Sequence, residues 1–64
     1  MKVTTSAWSE RINGCTHFCV AVKNDQHKLY EIFVGKARSN DVAYKRAFDQ
    51  AKKYIDDLGY ELEA

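Results

Sequence analysis

The chain has no proline, and only three glycines, two cysteines and one tryptophan among its 64 residues. Without proline there is no stiff spacer or proline-marked linker, so turns must be announced by Gly, Asn and Asp. Small disulfide-stapled domains usually carry four cysteines or more, so two are too few for such a framework and reduced thiols are expected. A charge excess is missing as well: ten Lys and Arg stand against nine Asp and Glu, a net +1. Proteins that bind nucleic acid mainly by neutralising phosphates need a larger surplus than that. No apolar run approaches the ~20 residues of a membrane span, and the opening MKVTTSAWSE lacks the core of a signal peptide. A soluble cytoplasmic protein with no membrane partner is expected.

What is present is globular. Hydrophobic residues make up 45% of the chain and aromatics 12%, enough to fold one domain over residues 1–64. A chain this short buries only about 60% of the surface it exposes when unfolded, so the core must be thin. Asn13-Gly14 is the strongest local signal, because both residues tolerate positive φ and together close a two-residue type I′ hairpin. Strand one then runs from about Lys2 to Ile12 and strand two from Cys15 to Lys23. The polar run Asn24 to Lys28 reads as the next turn, and the β-branched and aromatic LYEIFV, Leu29 to Val34, as strand three, ended by Gly35. Ser39 to Asp41 offers a helix N-cap with an acidic first turn. Val42, Ala43, Ala47, Ala51, Ile55 and Leu58 recur at helical spacing, widened by Tyr44, Phe48 and Tyr54. Gly59 stands where a left-handed C-cap would, after which Tyr60 to Leu62 either adds a short edge strand or trails. The expected fold is α+β: a three-stranded antiparallel meander with one C-terminal helix packed on one face.

The stretch CTHFC, Cys15 to Cys19, resembles a metal or redox site until it is laid on a strand. At ~3.3 Å per residue, Cys15 and Cys19 lie about 13 Å apart on one face. Two thiolates on one zinc ion must approach within roughly 4.6 Å, and a disulfide needs Cα atoms within about 7 Å. Neither fits. Cys19 and His17 as nucleophile and base would sit ~6.6 Å apart, beyond hydrogen-bond reach. His27, in the polar turn, reads as solvated. No phosphate loop, carboxylate pair or cofactor fingerprint is present, so no catalysis, metal or cofactor is expected.

The Asn13-Gly14 loop sets a register in which Ile12 pairs with Cys15, Glu10 with His17, Trp8 with Cys19 and Ser6 with Ala21. Continuing into strand three with like faces together pairs Val22 with Tyr30, Val20 with Ile32 and Cys19 with Phe33. The helix is then expected to cover Val3, Ala7, Phe18, Val20, Val22, Tyr30, Ile32 and Val34. The opposite face carries Trp8, Ile12, Cys19, Leu29 and Phe33 among Glu10, His17, Lys23 and Glu31. One helix cannot cover both faces. A contiguous Trp–Cys–Phe row ringed by charge is the composition of a protein contact, so Trp8, Glu10, Ile12, His17, Cys19, Leu29, Glu31 and Phe33 are the candidate partner-binding residues, with Trp8 as anchor. The same face can also join two copies in a homodimer. Of the cations, Lys36, Arg38, Lys45 and Arg46 gather near the helix start and form the one patch suited to phosphate.

Three resemblances follow from these residues. FCVAVKNDQHKLYEIFVGKARSNDVAYKRAFDQA resembles the sheet-and-helix part of phage integrase arm-site binding domains and plant ethylene-response DNA-binding domains. GKARSNDVAYKRA is similar to the last strand and final helix of double-stranded-RNA-binding domains. HFCVAVKNDQHKLYEIFV, with an alanine-lined helix and a returning GYEL, resembles small phage proteins that inhibit host machines, among them inhibitors of bacterial RNA polymerase. The first two imply a nucleic-acid-binding accessory domain. The third implies a stoichiometric inhibitor of a host protein complex such as RNA polymerase, a CRISPR complex or another defence system. A catalytically empty, nearly neutral chain suits the third better, and a non-enzymatic protein-binding module is the expectation.

Overall fold

The computed structural model describes residues 1–63. Strands β1 (Lys2–Ile12), β2 (Cys15–Asn24) and β3 (Leu29–Ala37) are followed by helix α1 (Asn40–Asp57) and a two-residue strand β4 (Glu61–Leu62). The three long strands form the expected antiparallel meander, but the sheet has four strands in the order β3-β2-β1-β4 and is mixed, because β4 runs parallel to β1. The helix carries the chain from one edge of the sheet to the other.

The first hairpin follows from its turn. Asn13 and Gly14 both have positive φ, 51° and 80°, and the two-residue loop pairs Ile12 with Cys15, Glu10 with His17 and Trp8 with Cys19 as expected. The second hairpin does not follow the expectation. Its loop is Asp25 to Lys28, with Lys28 in the left-handed region at φ 54° and its N–H donating to the Asp25 carbonyl at 3.3 Å. The resulting register pairs Val20 with Phe33, Val22 with Glu31, Ala21 with Ile32 and Cys19 with Val34. That is one residue away from the expected pairing, and because side chains alternate, every residue of β3 changes face.

The physical reason lies at Gly35, which does not end the strand. It is buried inside β3, and a Cβ there would meet the Ala47 backbone nitrogen at 2.6 Å as well as the Ala43 carbonyl. The helix presses on the sheet through the small residues Ala43, Ala47 and Ala51, all fully or almost fully buried, and only a residue without a side chain fits beneath them. Gly35 must therefore face the helix, and with it Phe33 and Glu31. Val3, Val20, Val22, Ala47, Ala51 and Ile55 form the core, with Phe18, Leu29, Phe33, Phe48, Tyr54 and Tyr60 packed around them. Aromatic contacts close both ends: Phe18 meets Tyr44 edge-on at 5.1 Å, and Phe33 meets Tyr54 at 5.2 Å. Val42 and Leu58, placed in the helix stripe by spacing, are exposed at the helix ends.

Ser39 holds the N-cap position with extended backbone and no side-chain cap bond. The helix ends in a Schellman arrangement: Gly59, at φ 68°, donates to Asp56 at 3.1 Å and Tyr60 donates to Ile55 at 3.0 Å, so carbonyls of the last turn are satisfied. This turn points the chain back along β1, where Glu61 N–H bonds to the Met1 carbonyl at 2.9 Å and Glu63 N–H to that of Val3 at 2.8 Å.

Candidate functional site

The helix covers one face of the sheet, and no described element covers the other. On the uncovered face the two ladders line up cross-strand rows: Trp8–Cys19–Val34, Ser6–Ala21–Ile32, Glu10–His17–Lys36 and Thr4–Lys23–Tyr30. Five large apolar or aromatic side chains stand open there: Trp8 (40% exposed), Ile12 (44%), Tyr30 (59%), Ile32 (45%) and Val34 (38%). Ala21, too small to reach past them, is fully screened at the centre. The apolar middle is bounded at one end by Glu10, His17 and Lys36 and at the other by Lys23.

Of the residues expected on this face, Trp8, Glu10, Ile12, His17 and Cys19 lie on it, since all follow from the first hairpin. Leu29, Glu31 and Phe33 are corrected to the helix side by the register of β3, where Leu29 and Phe33 are half-buried against the core. Conversely Tyr30, Ile32 and Val34, expected beneath the helix, are exposed on the open face. Ala7 does lie on the helix side, but it is exposed because α1 lies over β2 and β3 and leaves that part of β1 bare. The missed residues had a readable signal: counting by two from a glycine that must accommodate an alanine-lined helix puts Phe33 and Glu31 inside and Val34 and Ile32 outside.

The cysteines are free and half-buried. Cys15 pairs with Ile12 and Cys19 with Trp8 across the ladder. Among the described residues no group of three His, Cys, Asp or Glu side chains converges as a metal site would require. The four cations proposed for phosphate are not gathered into one patch: the Arg46 guanidinium donates to the Lys36 backbone carbonyl at 2.7 Å, while the Lys36 side chain belongs to the open face. Arg38 lies between β3 and α1, and Lys45 is exposed on the helix.

On the helix side, the bare part of β1 and the helix flank form an apolar groove of about 290 Å³ lined by Thr5, Phe48, Ala51, Ile55, Tyr60 and Leu62. It is bordered by Asp49, Lys52 and Asp56. No described helix is long and apolar enough to cross a membrane. Comparison with known proteins gives no relative: no family model matches the chain, and no curated protein or solved structure matches it either.

Proposed function

We propose that this chain is a non-enzymatic protein-binding module that engages its partner through the open sheet face. The observation that carries this reading is the uncovered, contiguous set Trp8, Val34, Ile32 and Tyr30. Exposed apolar side chains are ordinary when scattered, but a continuous patch with an aromatic anchor and a charged rim is the make-up of a contact surface. The resemblance to phage inhibitors fits this reading and suggests a host complex, RNA polymerase or CRISPR machinery, as the partner. The test is capture from bacterial lysate by the wild-type protein and by Trp8→Ser and Ile32→Ser. A partner retained after nuclease treatment and lost with both variants supports the reading; retention by both sinks it.

A nucleic-acid-binding role is the second reading, favoured by one specific observation. The register of β3 takes Glu31 off the open face and puts Lys36 on it, one row beyond Trp8, while Lys23 pairs with Tyr30 at the other end. Aromatic side chains with a lysine toward each end are the materials of a single-strand platform. Affinity for mixed-sequence single-stranded DNA and RNA, measured at low and at physiological salt, separates the two. Tight binding that survives physiological salt and is lost in Trp8→Ser replaces the protein partner with a nucleic acid.

A further inference from the structure

β3 is an edge strand, bonded on one side to β2 and open on the other. In an antiparallel ladder the N–H and C=O of one residue point the same way, and successive residues alternate between the neighbouring strand and the outside. Two side-chain bonds show which residues point out. Arg46 Nη1 donates to the Lys36 carbonyl at 2.7 Å, and Gln50 Nε2 donates to the Val34 carbonyl at 3.0 Å. Val34 and Lys36 thus turn their backbone groups away from β2, and by alternation so do Ile32 and Tyr30. The helix blunts the edge over its C-terminal half, where an unguarded strand would invite pairing. Over Leu29 to Phe33 the edge has no such guard.

We propose that this unguarded stretch of β3 accepts an extended segment of a partner protein by strand addition, and that the segment carries a basic residue between two apolar ones. The proposal rests on the protein-binding reading and states how the partner is held. In such a pair the residues opposite Tyr30 and Ile32 fall on the open face and extend its apolar surface by one strand. The residue between them falls on the helix side opposite Glu31, which is exposed there, and opposite charge is favoured across a ladder. A second copy of the chain does not fit the same place. A two-fold antiparallel pairing confined to Leu29–Phe33 centres on Glu31 and sets it against its own counterpart, two like charges face to face. Moving the centre to Ile32 would need the Val34 carbonyl, which Gln50 occupies.

The test uses the isotopically labelled full chain and two blocked heptapeptides, Ser-Thr-Val-Lys-Val-Thr-Ser and the same peptide with Glu in place of Lys. The Lys peptide is expected to shift the Tyr30 and Ile32 amide resonances and slow their hydrogen exchange, and the Glu peptide to bind about tenfold more weakly or less. Glu31→Lys should reverse that order, and Glu31→Gln should level it. Shifts centred on Trp8 and Cys19 and indifferent to Glu31 would mean docking on the face, overturning strand addition while leaving the protein-binding reading intact. Slowed exchange at Tyr30 and Ile32 that grows with protein concentration alone would also overturn it, in favour of self-pairing. So would failure of both peptides to bind at millimolar concentration. If instead the Lys peptide binds as expected but Trp8→Ser and Ile32→Ser keep the lysate partner, the edge is the site and the face is not.

Discussion

Gly35 passes so close beneath Ala43 that the helix and sheet touch backbone to backbone. A side chain at position 35 would press on the Ala43 carbonyl and lie 2.6 Å from the Ala47 nitrogen. These are atoms of a hydrogen-bonded helix, which cannot swing aside as the tip of a side chain can. Gly35→Ala should therefore cost about 3 kcal/mol of stability, at the upper end of ordinary overpacking. A domain of this size has roughly 3–5 kcal/mol in total. Urea unfolding followed by circular dichroism should show a midpoint near zero denaturant, and an unchanged midpoint would mean that the helix stands farther from the sheet.

Phe33 and Ile32 are neighbours with opposite roles. Phe33 packs on Tyr54 and the core, so Phe33→Ala should cost about 2–4 kcal/mol, somewhat under the value for a fully buried ring. Ile32 lies on the open face, and Ile32→Ser should stay within about 0.5 kcal/mol, as should Trp8→Ser. Truncation of an interface tryptophan commonly costs ~2 kcal/mol or more of affinity, so the Trp8 variant should fold normally and bind poorly. A stable Phe33→Ala beside an unfolded Ile32→Ser would return β3 to the register that its sequence suggests.

The two hairpins differ in legibility for a physical reason. Asn13-Gly14 admits one loop length, and the strand pairing it dictates runs from Ile12 and Cys15 to Thr4 and Lys23. The polar run Asn24 to Lys28 leaves the loop length open by one residue. Strand three then offers no correction, since Leu29 and Phe33 are apolar at odd positions while Tyr30, Ile32 and Val34 are apolar at even ones. Periodicity cannot choose between faces when both are apolar. What decides is Gly35, whose meaning depends on the alanine line of a helix that follows it in the chain. Trp8, Glu10, Ile12, His17 and Cys19 were therefore legible as open-face residues, and Leu29, Glu31 and Phe33 were not. β4, two residues long, is too short to carry a pattern, and its parallel pairing comes from the direction in which the Gly59 turn releases the chain.

The cysteines give a test that needs no partner. Cys15 and Cys19 lie on one face of β2 about 13 Å apart along the strand, so one chain cannot bridge them through a metal or a disulfide. The melting temperature should be the same with chelator, with reductant and with neither; a drop in chelator would reveal a bound ion. Cys19 also stands directly across from Trp8, the one tryptophan. Alkylating Cys19 in a Cys15→Ser background should change the indole emission, whereas alkylating Cys15 in Cys19→Ser should leave it nearly untouched.

Tyr54 links stability to pH. Its hydroxyl titrates above the ordinary value of 10.0, first because partial burial disfavours the phenolate, then because Tyr60 and Glu31 add negative charge nearby. The folded chain holds this proton more tightly than the unfolded chain does. The stabilisation is therefore complete below the unfolded pKa and is lost as pH rises through the folded one. Stability measured by urea should fall as pH rises above about 10, the phenol's unperturbed value. Other groups titrate in the same range, so the informative quantity is the difference between variants: Tyr54→Phe should lower the slope in that window, and Glu31→Gln should lower it less, because Glu31 is the smallest of the three causes. Equal slopes in the wild type and Tyr54→Phe would mean that the phenol titrates alike folded and unfolded, and that the ring of Tyr54 serves only to pack on Phe33 and Tyr60.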